Sequence, residues 1–519
     1  MRKIIISISV FILIMIIAVI SLNYYFKNKI EAFLASDLPP NVNLTYNNIN
    51  VETLRGNISM KGVTLILSNN PDSLPHTTLT IDKLSLIDAD YWDYLVNNTI
   101  HFRSIEIKNN AITHRKYKKK DSTQKSSSES PALSKSILID NFKVEKTEIT
   151  ILDGSNDSTL LRTPNISFAI SRLSTNKNLI SSKIPFKYGA INLKADSLFY
   201  RLNAYDNLNI KNINLTKDHL AIIQISIKTQ YTKSQLSQII PYERDHTNLT
   251  IPKIVFENLD FGSLNNKVFL KSSQINIENP IFNIYRDKLV ADDTTNKPLY
   301  SKMLRDLSFD LMIDRVTIND ASLEYSERVK KDQEAGKISF NKLNCSITNF
   351  SNTYALGEKT TNIDINALFM KKSPITVNWS FDVQNKEDEF RFKGELTQLP
   401  VVALNSFTQP NLNVELSGDV QKDYFDISGN QTNSLIKMNM DYDDFKIAVI
   451  NDKKNKKNWV LSTIANLFVS NDSNDQNNES FRKGEGKAER DKTKSFFNYL
   501  WLNIKQGLVA VMVGDGKIH

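Results

Sequence analysis

Ile139-Asp140-Asn141-Phe142-Lys143-Val144-Glu145-Lys146-Thr147-Glu148-Ile149-Thr150-Ile151 sets its apolar residues at steps of three, two, five and two. The spacing returns at Ile313/Val316/Ile318/Leu323/Tyr325 and at Ile210/Ile213/Leu215/Leu220/Ile222. It returns again at Phe102/Ile105/Ile107/Ile112, where His114 takes the last place. Ile251/Ile254/Phe256/Phe261 closes with Ser263, and Phe340/Leu343/Cys345/Phe350 with Asn352. Alternation of apolar and polar residues marks a strand with one greasy face and one wet face. The four residues inside each step of five (108–111, 145–148, 319–322) have the room and composition of a tight hairpin turn. Strand-turn-strand units repeated this often predict an extended β assembly, whose function would come from one long apolar surface.

The 519-residue chain is 40% hydrophobic, enough for a large buried surface, while a mean hydropathy of -0.33 argues against a polytopic membrane protein. One segment stands apart. Residues 4–22 are almost entirely aliphatic and, at ~1.5 Å per residue, long enough to cross a bilayer. Arg2 and Lys3 before it predict a cytoplasmic N-terminus of residues 1–3, although Lys27 and Lys29 follow it. A cleaved signal peptide is the competing reading. Its apolar core would be shorter and a small-x-small site should follow, but Tyr24, Tyr25 and Phe26 follow here, as in an interfacial aromatic belt. The reading is an uncleaved anchor. The single cysteine, Cys345, excludes an internal disulfide and reads as a small buried hydrophobe. The formal charge of +8 is spread thinly over the length with much of it in two runs, which does not indicate a nucleic-acid surface.

Residues 28–36 extend the membrane helix until Pro39-Pro40 stops it. Strand patterning over 23–114 includes the aromatic cluster Tyr91, Trp92 and Tyr94, read as a packing plug at the sheet end. Residues 115–136 are basic and Ser-rich, a solvated and disordered insertion. The β body resumes over 137–450, with a short helix after Pro298. Its later strands are cleaner: Ile375, Val377, Trp379, Phe381 and Val383, then Phe390, Phe392 and Leu396, then Leu412, Val414 and Leu416. Such a series with short polar connections predicts an antiparallel meander with one apolar face. Residues 451–519 read as amphipathic helices around a flexible linker at 470–480. Phe497, Leu500, Trp501, Ile504 and Leu508 recur there at helical spacing. That last helix either packs on the final strands and covers a sheet edge, or rests on a membrane surface.

Catalytic constellations do not emerge. There is no P-loop, Gly-x-Gly-x-x-Gly, Gly-x-Ser-x-Gly or His-Glu-x-x-His, and the six histidines are scattered without metal-ligand spacing. A non-enzyme without cofactor or metal is expected.

The anchor, Gly56-Asn57-Ile58-Ser59-Met60-Lys61-Gly62-Val63 and Ile81-Asp82-Lys83-Leu84-Ser85-Leu86 resemble the start of AsmA-like proteins. Residues 299–307, followed by Ile313-Asp314-Arg315-Val316-Thr317-Ile318-Asn319 and Tyr325-Ser326-Glu327, are similar to AsmA-related proteins of Bacteroidetes-type bacteria, as is residues 490–497. This AsmA/TamB/YhdP group implies a repeating β-groove fold: a mainly β, long twisted antiparallel sheet folded into an open groove with an apolar floor. It implies an inner-membrane anchor, a periplasmic body and a role in phospholipid transport or outer-membrane homeostasis. The group brings no catalytic residues.

An apolar sheet face left open in water invites aggregation, so something must cover it. The chain itself could do so as a second layer, or acyl chains could lie along it while headgroups stay wet. On the second reading the partner is phospholipid and the lining residues are those from Ile375 to Leu416 named above. A non-catalytic envelope scaffold, acting through an envelope protein partner, is the alternative.

Overall fold

The computed structural model describes residues 2–36, 38–69, 74–117, 134–180, 182, 184–450 and 481–513. Strand takes 59% and helix 17%, so the chain is mainly β. It divides into two compact units. The first is Met1–Ala204 with Leu208–Ile222 and Ser263–Asn266; the second is Tyr205–Asn207 with Ile223–Gly262 and Lys267–His519.

A single helix, α1 (Arg2–Ser36), opens the first unit and is long and apolar enough to cross a membrane. Its later turns continue unbroken through residues 28–36, as the sequence predicts, and they pack on protein. Ile30 and Leu34 lie against Ile49, Val51, Met60, Val63 and Ile81. Asn23 Oδ1 accepts the Thr53 N–H at 2.7 Å.

The strands of the early chain are β1 (Val42–Thr45), β2 (Asn48–Glu52), β3 (Asn57–Ser68), β4 (Pro75–Ala89) and β5 (Thr99–Lys116). The helix α2 (Tyr91–Leu95) stands between β4 and β5. Then come β6 (Ser136–Asp153), β7 (Thr159–Thr175), β8 (Ile191–Ala195), β9 (Leu198–Arg201), β10 (Asp206–Thr216) and β11 (His219–Thr229). After α3 (Lys233–Ile239) follow β12 (Asp245–Glu257), β13 (Asp260–Leu264), β14 (Lys267–Glu278) and β15 (Ile281–Asp287). The helix α4 (Tyr300–Arg305) precedes β16 (Asp310–Arg328), β17 (Gly336–Ser351), β18 (Thr361–Phe369), β19 (Ser373–Phe381) and β20 (Phe390–Pro400). Last are α5 (Asn405–Leu412), β21 (Val414–Gly429), β22 (Asn433–Val449), β23 (Arg482–Glu489) and α6 (Phe496–Val513).

The repeated spacing means something other than strand-turn-strand. In β5, β6 and β16 the strand runs straight through residues 108–111, 145–148 and 319–322. Inside each step of five one residue is left-handed: Asn109 at φ 49°, Lys146 at 53° and Asp320 at 50°. Such a residue bulges the strand and shifts the alternation by one, so Ile107 and Ile112, or Val144 and Ile149, regain the same face. One step of three behaves likewise, with Lys342 left-handed between Phe340 and Leu343 in β17. Asn and Asp suit these positions because their short polar side chains bond locally. Asn109 Nδ2 donates to Asp82 Oδ2 at 3.2 Å, and the Asp320 N–H donates to Asn344 Oδ1 at 3.1 Å. Only the copy at Ile210 has a true turn, at left-handed Lys217 between β10 and β11; the copy at Ile251 is broken at Asn258.

The later strands form the expected antiparallel meander, β18 to β22 pairing in chain order, but the sheet is not antiparallel throughout. β5 and β6 pair in parallel, as do β14 and β15 with β16, among otherwise antiparallel ladders. Parallel neighbours require the chain to travel back the length of the strand. Arg115 and Lys116 end β5 and Ser136 begins β6; of the basic, Ser-rich stretch between them, residues 118–133 lie outside the described residues. Residues 288–309 make the second return and carry α4, where a helix after Pro298 is expected. Arg305 fixes that helix, donating to the Asn385 carbonyl at 2.9 Å and pairing with Asp388 at 2.8 Å.

Residues 451–480, including the linker 470–480, lie outside the described residues. Beyond them the expected all-helical tail contains a strand, β23, which extends β22. Leu412 also departs from expectation. It closes α5, and left-handed Asn413 separates it from β21.

Candidate functional site

Register turns the repeated spacing into rows that cross the strands. In the first unit Ile58, Leu86, Ile105, Phe142 and Ile170 stand in line on β3 to β7. Beside them run Met60, Leu84, Ile107, Val144 and Phe168, then Val63, Ile81, Asn110, Thr147 and Ile166. Two further rows follow: Leu65, Leu79, Ile112, Ile149 and Thr163, then Leu67, Thr77, His114, Ile151 and Leu161. On the other face Lys61, Lys83, Lys108 and Glu145 align, with Lys108 paired to Glu145 at 3.4 Å.

Burial is uneven across these rows. Every member of the third row, which adjoins the left-handed residues, is buried, while most members of the other rows are only half-buried. Two polar groups share that middle row: Asn110 Nδ2 and Thr147 Oγ1 are buried with no partner among the described residues.

In the second unit one row reads Ile275, Val316, Ile347, Ile363, Trp379, Phe392, Ile427, Ile436 and Gly486. Its neighbour reads Ile277, Ile318, Cys345, Ile365, Val377, Gly394, Phe425, Met438 and Gly484. Cys345 is buried, as the sequence predicts, and burial pushes its thiol up to about 11. The early members alternate between buried (Val316, Cys345, Ile363) and half-buried (Ile275, Ile318, Ile347, Ile365); Ile427, Ile436 and Met438 are fully buried beneath α6. A third row, Ala367, Ile375, Leu396, Asp423 and Met440, carries a carboxylate in an apolar line. Asp423 is 6% exposed, its Oδ1 has no partner among the described residues, and burial pushes its pKa up to about 7.

Seven of the expected lining residues therefore share one face: Ile375, Val377, Trp379, Phe381, Phe390, Phe392 and Leu396. Phe381 and Phe390 are buried, as is Val383 just past the end of β19. Val414 is buried and Leu416 half-buried, on the far side of left-handed Gly418; Leu412 is helical. The face is closed here by aromatics, with Phe496 of α6 stacked on Trp379 at 4.7 Å and edge-on to Phe390 at 5.1 Å.

The helix α6 packs against β22 and β23 through Phe496, Tyr499, Leu500, Asn503 and Val511, all buried. Ile504 and Leu508 are half-buried at its margin. Phe497 and Trp501 face outward, 62% and 42% exposed. The apolar periodicity located the helix, but the seat uses a face rotated from the one the spacing picked out. Small residues that carry no apolar signal, Gly484 and Gly486, set that rotation.

No family model and no curated protein matches this chain.

Among the described residues, one cluster has metal-ligand atoms close together: Asp90, Asp93 and His101. These groups bond one another. His101 Nδ1 meets Asp93 Oδ2 at 2.6 Å and Nε2 meets Asp140 Oδ2 at 3.2 Å, pinning α2 to β5 and β6. Burial opposes charge on the imidazole, but the hydrogen bonds to Asp93 and Asp140 outweigh it and raise its pKa above the usual 6.5. A histidine with a raised folded pKa stabilises fully below its unfolded pKa and loses that contribution as pH climbs through the folded value. Amide exchange in residues 90–98 is therefore expected to quicken as pH rises above the usual histidine range and through the raised folded value, beyond the intrinsic base catalysis. His101→Gln should remove that excess pH dependence; an unchanged excess would show that other groups hold α2.

Proposed function

We propose that this chain is a membrane-anchored, non-catalytic lipid-sheltering protein. On this reading α1 holds it in the inner membrane, the β body lies in the periplasm, and acyl chains lie along the apolar rows. It would then serve phospholipid transport or outer-membrane homeostasis, as implied by its resemblance to the AsmA-like group. One observation carries the reading. In the first unit five aligned rows share a face on which the middle row is buried and most flanking side chains are only half-buried. Left-handed residues bend β3, β5, β6 and β7 beside that middle row, at Gly62, Asn109, Lys146 and Asn165. A sheet creased so buries the crease and lifts the rows on either side, which makes an apolar trough. Each methylene lodged there gains about 0.8 kcal/mol without a specific contact, so a chain is held yet free to slide.

The covered strands of the second unit favour a second reading, an envelope scaffold whose apolar face is filled by its own helix. Substitution separates the two. Ile105→Asp combined with Ile149→Asp places charges on half-buried row positions in β5 and β6. The purified double variant should lose most of its co-purifying phospholipid by mass spectrometry while keeping its circular dichroism spectrum. Phospholipid content equal to that of the unaltered chain would sink the lipid reading. Phe381 is unsuitable for this test because, 4% exposed, it would unfold the sheet as Asp.

A further inference from the structure

Tyr91, Trp92 and Tyr94 do not plug the sheet, contrary to what their composition predicts. They are 48%, 69% and 49% exposed, and Leu95 and Val96 reach 78% and 56%. Five large apolar side chains thus stand in water within six residues, far beyond the scattered single exposures of an ordinary surface. Their backbone is held firmly. Asp90 caps α2 by accepting the Asp93 N–H at 2.9 Å, and Asn97 and His101 bond the Asp93 carboxylate from either side, both at 2.6 Å. The Val96 N–H donates to the Trp92 carbonyl at 2.8 Å.

The platform is also tied to the end of the apolar part of α1. The Tyr91 hydroxyl donates to the Thr53 carbonyl at 2.5 Å, and the Thr53 N–H donates to Asn23. Asn23 follows the aliphatic run 4–22, whose ~28 Å length matches a bilayer core. Thr53 sits in a short turn whose next residue, Leu54, is 68% exposed. At that turn left-handed Gly56 fits against Ala89, since a Cβ there would meet Ala89 N at 2.6 Å. Lys135 supplies positive charge at the rim, 3.9 Å over the Tyr94 ring.

We propose that this platform, Leu54 with Trp92, Leu95 and Val96, rests in the bilayer interface beside α1 as a second membrane contact. The proposal depends on α1 spanning the bilayer, as in the reading above. Trp and Tyr with aliphatic neighbours and a flanking Lys are the composition that settles at headgroup level. A protein partner would need about 800 Å² of matched surface, more than a single helical turn presents. A bilayer needs much less, because α1 already holds the patch beside it and makes its insertion intramolecular. Two points of contact would fix the angle at which the β body leaves the membrane.

The test uses the full chain in liposomes with an environment-sensitive thiol probe at single sites. Cys345 is buried with a raised pKa, so exposed introduced thiols are labelled in preference. Leu95→Cys reports the platform, Ile16→Cys the anchor, and Ser155→Cys the opposite end of β6. Acyl-chain-brominated phospholipid should dim the probes at positions 95 and 16 by ~2-fold or more and leave position 155 unchanged. Quenching at 16 with none at 95 would overturn the second contact and leave the anchor standing. Position 95 shielded from aqueous iodide but not quenched by lipid would assign the patch to a protein and overturn the proposal. Failure at 16 would remove the anchor and the proposal together.

Discussion

Gly484→Val should loosen the seat of α6 and raise amide exchange in β22 and α6 by roughly 100-fold, the equivalent of ~3 kcal/mol of lost local stability. The reason is distance. A Cβ at Gly484 would lie 2.5 Å from the Val511 backbone nitrogen, and one at Gly486 would lie 2.7 Å from Gln506 Cβ. No rotamer change relieves a clash with helix backbone, so the helix must lift. Lifting it uncovers Ile436, Met438 and Met440, which are at most 1% exposed, and binding of a hydrophobic dye should rise in parallel. Valine is a better strand former than glycine, so propensity alone predicts the opposite sign. Glu485→Val is the control. Its side chain faces outward, 63% exposed, and loses only a surface pair with Lys437 at 3.4 Å, worth at most ~1 kcal/mol. Exchange in Gly484→Val no faster than in Glu485→Val would show that the helix is not seated through this strand.

That seat bears on what covers the apolar face. The rows of the second unit end at Gly484 and Gly486, directly under α6, so the chain closes its own last strands. Most side chains of the first unit's rows outside the middle one are only half-buried. Covered and open stretches of one kind of surface therefore occur in the same chain.

Steps of three and five in the apolar pattern were legible in the sequence, and their meaning was not. A parity break such as Val144 to Ile149 fits a hairpin as well as a bulge, because both reverse the alternation. Composition does not separate them either, since Asn, Asp and Lys suit left-handed positions in both. The choice is made by the neighbour: β6 continues because β5 beside it bulges at the same level, Asn109 next to Lys146. The parallel pairing was hidden for a similar reason, since residues 115–136 look like an insertion until both of their ends have partners. β23 was unreadable because its inward residues are Gly484, Gly486 and Ala488, chosen for closeness to a helix. Tyr91, Trp92 and Tyr94 were misread because aromatic density in a sequence resembles a core whether or not anything covers it. By contrast, α1, Cys345 and the apolar face shared by Val377 and Trp379 follow from local pattern alone, and the fold keeps them.

Asp423→Asn should stabilise the second unit strongly at pH 8 and hardly at all at pH 4. Asp423 lies between Leu396 and Met440 in an apolar row. Burial raises its pKa to about 7 from the usual 3.8. With the folded pKa above the unfolded one, the folded state keeps its proton longer. Below about pH 4 both states are protonated and the carboxyl costs nothing. Between the two pKa values the unfolded chain ionises alone, and stability falls by ~1.4 kcal/mol per pH unit. Above about pH 7 both forms are ionised and the full cost, ~4 kcal/mol, is present. The amide is nearly isosteric and does not titrate, so any fixed packing or hydrogen-bonding difference shifts both pH values equally. The difference in unfolding free energy between variant and unaltered chain should therefore be ~3–4 kcal/mol larger at pH 8 than at pH 4 in matched denaturant titrations. A difference independent of pH would mean that Asp423 is neutralised by a partner outside the described residues, and that this row is not closed to water and charge as its burial implies.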